Sequence, residues 1–502
     1  IPDNMGGIFD MLKEAALTMQ QGGGIGYDFS TIRPRGAEVK GVAADASGPL
    51  SFMDVWDAMC RTIMSAGSRR GAMMATMRCD HPDIEAFVEA KRDPARLRMF
   101  NLSVLATDAF MAAVEADEDW PLVFPQPNDS GDLVLRQWPG YDRLVPCRVM
   151  RTVRARDLWR SLADAAATNG EPGVLFVDRI NTDNNLWYRE FISATNPCGE
   201  VPLPPHGACD LGSINLAAFV IQPFTPKAHL DLDALASTAS VAVRMLDNVI
   251  DISGYPLPVQ AEQALGSRRI GVGVMGLADA LLLMGLGYDS EVGRKRAAEA
   301  VQTICHAAYR ASVELAREKG GFPFLKRESY LQSKFVQRLP RELTRDIRAH
   351  GIRNSHLMAI APTGSISLLA NNVSSGIEPI FAALARRRIQ DATGRVVEHN
   401  VADYACRRWQ RIARDESLPP DYAPAHAMTA HAHLAMQAAV QPFVDQSIAK
   451  TVNLPPGAPG QGAPSERVAE IYLEAWKAGL KGVTVFAQAG RSPVLVADEA
   501  GA

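Results

Sequence analysis

Three unlike reactive side chains fall within five positions of this sequence: Asn196, Cys198 and Glu200, in the run Ala194-Thr-Asn-Pro-Cys-Gly-Glu200. In an extended chain alternate side chains share a face, so the spacing predicts an amide, a thiol and a carboxylate presented together to one small substrate. Pro197 and Gly199 lie between them and suit a tight, rigid loop. A surface turn or half of a zinc ribbon is the competing reading. A ribbon normally takes four ligands, often as paired Cys-x-x-Cys units, and no such pair occurs.

Other segments carry weaker chemistry. Cys209 follows a Pro-rich stretch containing His206; it reads equally as a core cysteine or a redox partner, and His206 as a plain loop histidine. The segment from Asn354 to Leu369 reads as strand, turn and helix start, with Thr363, Ser365 and Ser367 supplying hydroxyls. Free N–H groups at such a helix start can bind phosphate, or the hydroxyls simply cap the helix. Gly271-Val-Gly-Val-Met-Gly276 matches the dinucleotide fingerprint in letters. A dinucleotide fold also needs a second strand ending in an acid roughly 20 residues on. Residues 277–286 and 292–319 look helical instead, so the glycines are expected to let strand and helix pack closely. Arg69 and Arg70, in a loop from Ser65 to Ala72, could read a nucleotide or belong to a solvated turn. The run Arg386-Arg-Arg388 is expected to be a solvated helix end.

These residues need elements to hold them. Ile8, Met11, Leu12, Ala15, Ala16 and Met19 repeat at helical spacing, with Asp3 or Asn4 as cap and Gly22 as stop. A glycine-rich link, Gly22-Gly-Gly-Ile-Gly26, leads to a short strand near Tyr27–Phe29. Helices are predicted over 51–65, 83–91, 107–116, 156–168, 232–250, 293–318 and 466–480. Strands are predicted over 173–177, 270–274 and 357–361. Short apolar runs between helices indicate buried strands of an α/β protein. A Pro/Gly-rich segment, 454–464, reads as a surface loop. No boundary between independent domains is visible.

The chain has 502 residues and a net charge of -4, with basic residues dispersed, so no nucleic-acid partner is expected. No apolar run reaches the roughly 20 residues that span a bilayer, and no signal peptide is visible, so a membrane is not an expected partner. Seven cysteines in so long a chain fit a reducing cytoplasm. The chain opens on Ile1 and on a helix-start signal, so it is expected to be a piece or a processed product.

Eight strings, taken in order, resemble the large chain of ribonucleotide reductases over nearly the whole sequence: Gly22–Gly26, Ser68–Met74, Asp80–Ile84, Asn101–Val104, Asn196–Glu200, Asp210–Leu216, Arg269–Gly276 and Ala361–Ser367. The likeness is nearest to the adenosylcobalamin-dependent class. It implies a ten-stranded α/β barrel of two five-stranded parallel halves with a finger loop inside, occupying residues 1–490, with 491–502 as a tail. Cys198 would sit at the finger's tip and become a thiyl radical that abstracts the ribose 3′-hydrogen. Glu200 would be the general base at the 3′-hydroxyl, Asn196 would orient the ribose, and Cys209 would be one member of the reducing cysteine pair. The resemblance further implies substrate contacts from Gly24 and from Pro362, Thr363, Gly364, Ser365 and Ile366. Asp3, Arg33, Arg69 and Arg70 would serve a deoxynucleotide or ATP effector at a homodimer interface. It implies ribonucleoside diphosphate substrates and a thioredoxin-type reductant.

The class assignment follows from what stands at particular positions. A tyrosine pair serves the class with a separate metal subunit; here that region reads Val483-Thr-Val-Phe-Ala-Gln488. The glycyl-radical class lacks the equivalent of Glu200. No Asp-x-His-x-x-Gly motif occurs, so no histidine is assigned to cobalt. The second reducing cysteine would precede Asp3 by about seven residues in the family's first-helix alignment, and no cysteine follows Cys406. The chain as it stands is therefore expected to bind substrate without sustained turnover.

Overall fold

Continuous apolar runs form the strands that carry the site. Met73–Arg78 and Ile270–Met275 are buried at every position, as strands covered on both faces are. The computed structural model describes all residues except 40–43, 66–68, 127–130, 391–394, 416, 455–462, 488–494 and 498–502.

Ile25–Asp28 (β1), Met73–Arg78 (β2), Phe100–Ala106 (β3) and Gly173–Phe176 (β4) make one parallel run, with Ile25 opposite Met73, Met73 opposite Phe100 and Ser103 opposite Gly173. A second run begins with Asp210–Asn215 (β5) beside Ile270–Met275 (β6), also parallel. Single parallel bridges, Val272 to Met358 and Ile360 to Ile448, carry it into Thr451–Leu454 (β7). β7 pairs in parallel with Gly482–Ala487 (β8). The runs meet where β8 lies antiparallel to β4, Gly482 opposite Leu175. Among the described residues the pairing therefore joins a parallel run to a longer one of opposite direction. A tenth position and a closed ring are not among these pairings.

Helices make the crossovers. Pro49–Thr62 lies between β1 and β2, and Leu232–Ile252 between β5 and β6. Glu291–Lys319 follows β6 and packs along Leu232–Ile252. Ala155–Asn169 packs against Pro464–Lys477. Caps fix several starts: Asn4 accepts from the Gly7 N–H at 2.9 Å and Asp231 from the Ala234 N–H at 3.0 Å, satisfying donors that the helix cannot. Two large apolar cores result. One surrounds β1–β4, and the other surrounds β5, β6 and the two long helices.

Three expectations change. Arg386–Arg388 are not a helix end; they lie in the strand Leu384–Gln390, antiparallel to Val396–Ala402, where Arg388 meets Glu398 at 2.9 Å. Opposite charges on facing strands stabilise that pairing. The helix predicted to run to residue 65 stops at Thr62, and Met64–Ser65 pairs with Arg69–Arg70 instead of forming an open loop; the side chains of Arg69 and Arg70 lie outside the described residues. Leu495–Ala497 forms a strand against Ala385–Arg387.

Candidate functional site

Ala194–Thr195 pairs antiparallel with Pro202–Leu203, so residues 196–201 form the turn of a hairpin. Asn196 builds that turn. Its side-chain oxygen accepts from the Val201 N–H and the Thr195 hydroxyl, both at 3.0 Å, and its carbonyl accepts from the Gly199 N–H at 3.1 Å. Gly199 sits at φ +86°, a backbone state that glycine adopts without a Cβ clash. The three side chains are therefore presented by a turn, and not by the extended alternation expected from their spacing.

Both strand runs hold this hairpin. From the first run, Thr76 donates to the Ser193 carbonyl and Asn101 to the Pro197 carbonyl, both at 2.7 Å. Gly26 completes that side: a Cβ there would lie 1.8 Å from the Thr195 carbonyl oxygen. Gly24 likewise abuts Pro197, with 3.0 Å between a hypothetical Cβ and the proline ring. From the second run, the Ser447 N–H donates to the Glu200 carbonyl at 3.0 Å, and buried Arg269 donates to the Pro202 carbonyl at 2.8 Å while paired with Glu190.

Cys198 is solvent-accessible, unlike Cys60, Cys79, Cys147, Cys305 and Cys406, which are buried. Desolvation by the surrounding protein, then the Glu200 charge, pushes its thiol up to about 11. The thiol therefore keeps its proton at neutral pH. Nucleophilic catalysis would need the thiolate, whereas hydrogen-atom transfer needs the intact S–H. Glu200 is 2% exposed, and its Oε2 has no hydrogen-bond partner. Burial raises its carboxyl pKa, against a smaller lowering by the Asn196 amide. A buried carboxylate with a free oxygen is a stronger base than an exposed one.

Cys198 and Pro362 share the walls of a cavity of about 280 Å³, with Asn101, Glu378, Lys450 and Phe486 among the other lining residues. Pro362 thus reaches the thiol's surroundings. Thr363, at φ +56°, is turned inward, its hydroxyl accepting from the Gly376 N–H at 2.9 Å. Gly364, Ser365 and Ile366 are exposed. The helix they lead into, Ile366–Leu369, is a single turn.

Cys209 stands just before β5. Its thiol pKa is raised by burial, opposed by Arg269 and by a hydrogen bond from Gln446. Residues 446 and 447 thus touch both Cys209 and the Glu200 backbone. Asp3 and Arg33 pair with each other, Nε to Oδ2 at 2.9 Å. His206 is more than a plain loop residue: it meets Glu14 of the first helix at 3.0 Å. In the 271–276 run, a Cβ at Gly273 would lie 2.3 Å from the Ala359 carbonyl oxygen, and one at Gly271 2.5 Å from Leu211. These glycines serve close packing, chiefly strand on strand.

Sequence reading missed Glu378, Lys450 and Ser447. Each is unremarkable in its own segment, and only the fold brings them to the hairpin. Asn101 stood in a family string without an assigned role; its position opposite Met74 on β3 gives it one.

An α/β sheet of two opposed parallel runs, gripping a hairpin that presents a protonated thiol, defines the class as a barrel-type enzyme domain. Residues 1–486 match the sequence profile of the family described as ribonucleotide reductase, barrel domain. The chain is 39% identical over 517 residues to the vitamin B12-dependent ribonucleoside-diphosphate reductase of Mycobacterium tuberculosis (strain CDC 1551 / Oshkosh), covering 98% of this chain and 67% of that protein. It is 32% identical to the enzyme of the same name from Thermoplasma acidophilum, covering 97% of this chain and 60% of that one. A ribonucleoside-diphosphate reductase subunit alpha from Chlamydia trachomatis is 30% identical over 76% of this chain and 40% of its own length. The chain belongs to the ribonucleotide reductase barrel-domain family, and spans two thirds or less of most of these relatives.

Proposed function

We propose that this chain is the catalytic barrel of a vitamin B12-dependent ribonucleoside-diphosphate reductase. The observation that carries the reading is the pairing of an accessible, protonated Cys198 with a buried Glu200 whose Oε2 lacks a partner. Cys198 exchanges a hydrogen atom with the ribose 3′-carbon. Glu200 takes the 3′-hydroxyl proton through its free oxygen. Asn196 sets the turn and, through its amide, the carboxylate. Overall, one ribonucleotide and two thiols give one deoxyribonucleotide, one disulfide and one water. Cys209 is one of those thiols, and a thioredoxin-type reductant restores the pair in the complete protein.

The hairpin is the finger of a ten-stranded barrel of two parallel halves, a reading supported by the two runs of opposite direction. Residues 1–490 form that barrel, and the family's substrate contacts fall on Gly24 and Pro362–Ile366. The diphosphate meets the Pro362–Ile366 turn. Gly24 acts indirectly, by letting β1 approach Pro197. Asp3, Arg33, Arg69 and Arg70 belong to an effector site for deoxynucleotides or ATP at a homodimer interface, in a cytoplasmic enzyme. No helix among the described residues is long and apolar enough to cross a membrane.

The cavity beside Cys198 fits part of adenosylcobalamin. Its volume of about 280 Å³ suits a nucleoside and not a corrin ring, so the adenosyl half is the part that would enter. When bound, the cofactor supplies a carbon-centred radical next to the thiol. The ring brings its own cobalt ligands, so a cluster of protein ligands is not required.

Anaerobic incubation with adenosylcobalamin, a ribonucleoside diphosphate and a deoxynucleotide effector tests the reading. The expected result is the EPR signal of a sulfur-centred radical in the wild-type chain and its loss in C198A. An unchanged signal in C198A refutes it.

A further inference from the structure

The wall of the Cys198 cavity contains a charged cluster that the reaction as described does not use. Lys450 is buried, its side chain 0% exposed, and its ammonium forms an ion pair with Glu378. The same ammonium contacts His433 Nδ1 at 2.7 Å and the Thr451 carbonyl at 3.0 Å. His433 is held neutral, its pKa lowered to about 3 by burial and by Lys450, so it acts as an acceptor behind the lysine. Glu378 also accepts from the Thr451 N–H at 2.8 Å. Its side chain keeps 24% exposure, and it lines the cavity with Cys198.

A buried cation is costly, and a protein holds one only where partners compensate it. Both residues line the cavity, but the Lys450 side chain is fully buried and Glu378 keeps partial exposure, so the carboxylate is the open member of the pair. Two donors fix the carboxylate from behind, yet each of its oxygens can accept further bonds. The part facing the cavity is thus a fixed acceptor. The other walls are largely apolar, with Met74, Leu102, Ile448 and Phe486 among their side chains. A flat group can lie against such walls, with a hydroxyl-bearing group at the carboxylate. Carboxylates recognise ribose hydroxyls in this way in dinucleotide sites.

We infer that Glu378, braced by Lys450, accepts hydrogen bonds from the ribose 2′,3′-diol of a nucleoside seated in the cavity beside Cys198. Two nucleosides have that chemistry, the sugar of the ribonucleotide substrate and the adenosyl group of the implied cofactor. The inference rests on reading the cavity as the radical site and names what its wall recognises.

The test is calorimetric titration of the full chain with adenosine and with ADP, each against its 2′,3′-dideoxy analogue, in wild type, E378Q and E378Q/K450M. The double variant removes both charges, so a loss of fold in E378Q from an orphaned lysine does not decide the outcome. A hydrogen bond to a charged group corresponds to about tenfold to a hundredfold in affinity. Wild type should prefer the diol by at least about tenfold, and both variants should lower that preference by about tenfold while leaving dideoxy binding unchanged, any remainder being the contact to Glu200. A preference confined to the adenosine pair assigns the cofactor's ribose, and one confined to the ADP pair assigns the substrate's. An undiminished diol preference in the variants, or none in wild type, overturns the inference while the Cys198 radical assay still stands. Absence of any nucleoside or nucleotide binding in wild type overturns both.

Discussion

The protonation state of Cys198 gives the sharpest test of the site. Burial, followed by Glu200, lifts its thiol from 9.0 to about 11. Two units correspond to about a hundredfold less thiolate at neutral pH than in an unperturbed cysteine. Alkylation by iodoacetamide consumes only the thiolate, so the Cys198 peptide, followed by mass spectrometry, should react about a hundredfold more slowly than a model thiol. Its rate should rise tenfold per pH unit up to about pH 11. Since burial is the larger cause, E200Q should lower the midpoint only in part, leaving it above 9.0. The sign of the linked stability follows. A pKa raised by folding gives stability that is full below pH 9.0 and lost as pH climbs through about 11. A half-maximal rate at or below pH 9, with accessibility unchanged, would refute the claim that the hairpin raises the thiol's pKa. Collapse of the midpoint to 9 in E200Q would instead show that charge, and not burial, sets it.

Other perturbations reach the scaffold. G26A places a methyl 1.8 Å from the Thr195 carbonyl oxygen; it should cost about 1–3 kcal/mol or more, read by urea unfolding, and an unchanged midpoint would mean that β1 and the hairpin are not in this contact. R269M leaves Glu190 buried without its partner, which typically costs about 3–5 kcal/mol, and it should raise backbone hydrogen exchange at 196–203; native exchange there would count against Arg269 as an anchor. Asp279 is raised to about 6 by burial, and neighbouring Asp403 is raised by burial and by the Asp279 charge. Raised acids give stability that is present below the ordinary carboxylate range and lost as pH rises through about 6. D403N keeps the cap on the Cys406 N–H and removes one acid, so the thermal midpoint should vary less between pH 4 and 7 than in wild type; an equal slope would remove Asp403 from that linkage.

The long amphipathic helices were plain in the sequence because their apolar spacing repeats over many turns. The stretch predicted as 232–250 is Leu232–Ile252, and that predicted as 293–318 is Glu291–Lys319. Strands such as Met73–Arg78 were not, since a short run buried at every position carries no alternation to distinguish strand from buried helix. The reactive trio was legible by residue type, but its presentation was not. Asn196 spends its side-chain oxygen on the Val201 N–H, and that local competition with the backbone bends the chain into a turn. The Glu378–Lys450 pair was invisible for another reason: its members lie 72 residues apart, and neither segment carries a pattern that points to the other.

The anchoring of the hairpin also orders events during folding. Its ties reach 117 residues back to Thr76, 96 back to Asn101 and 67 forward to Arg269, and Ser447 closes the set from still farther along. Contacts of such sequence separation form only after much chain entropy has been lost. The thiol's pocket therefore assembles late, when both strand runs already stand. A nascent or half-unfolded chain lacks the enclosure around Cys198, so the radical chemistry proposed for it is confined to molecules whose folding is complete.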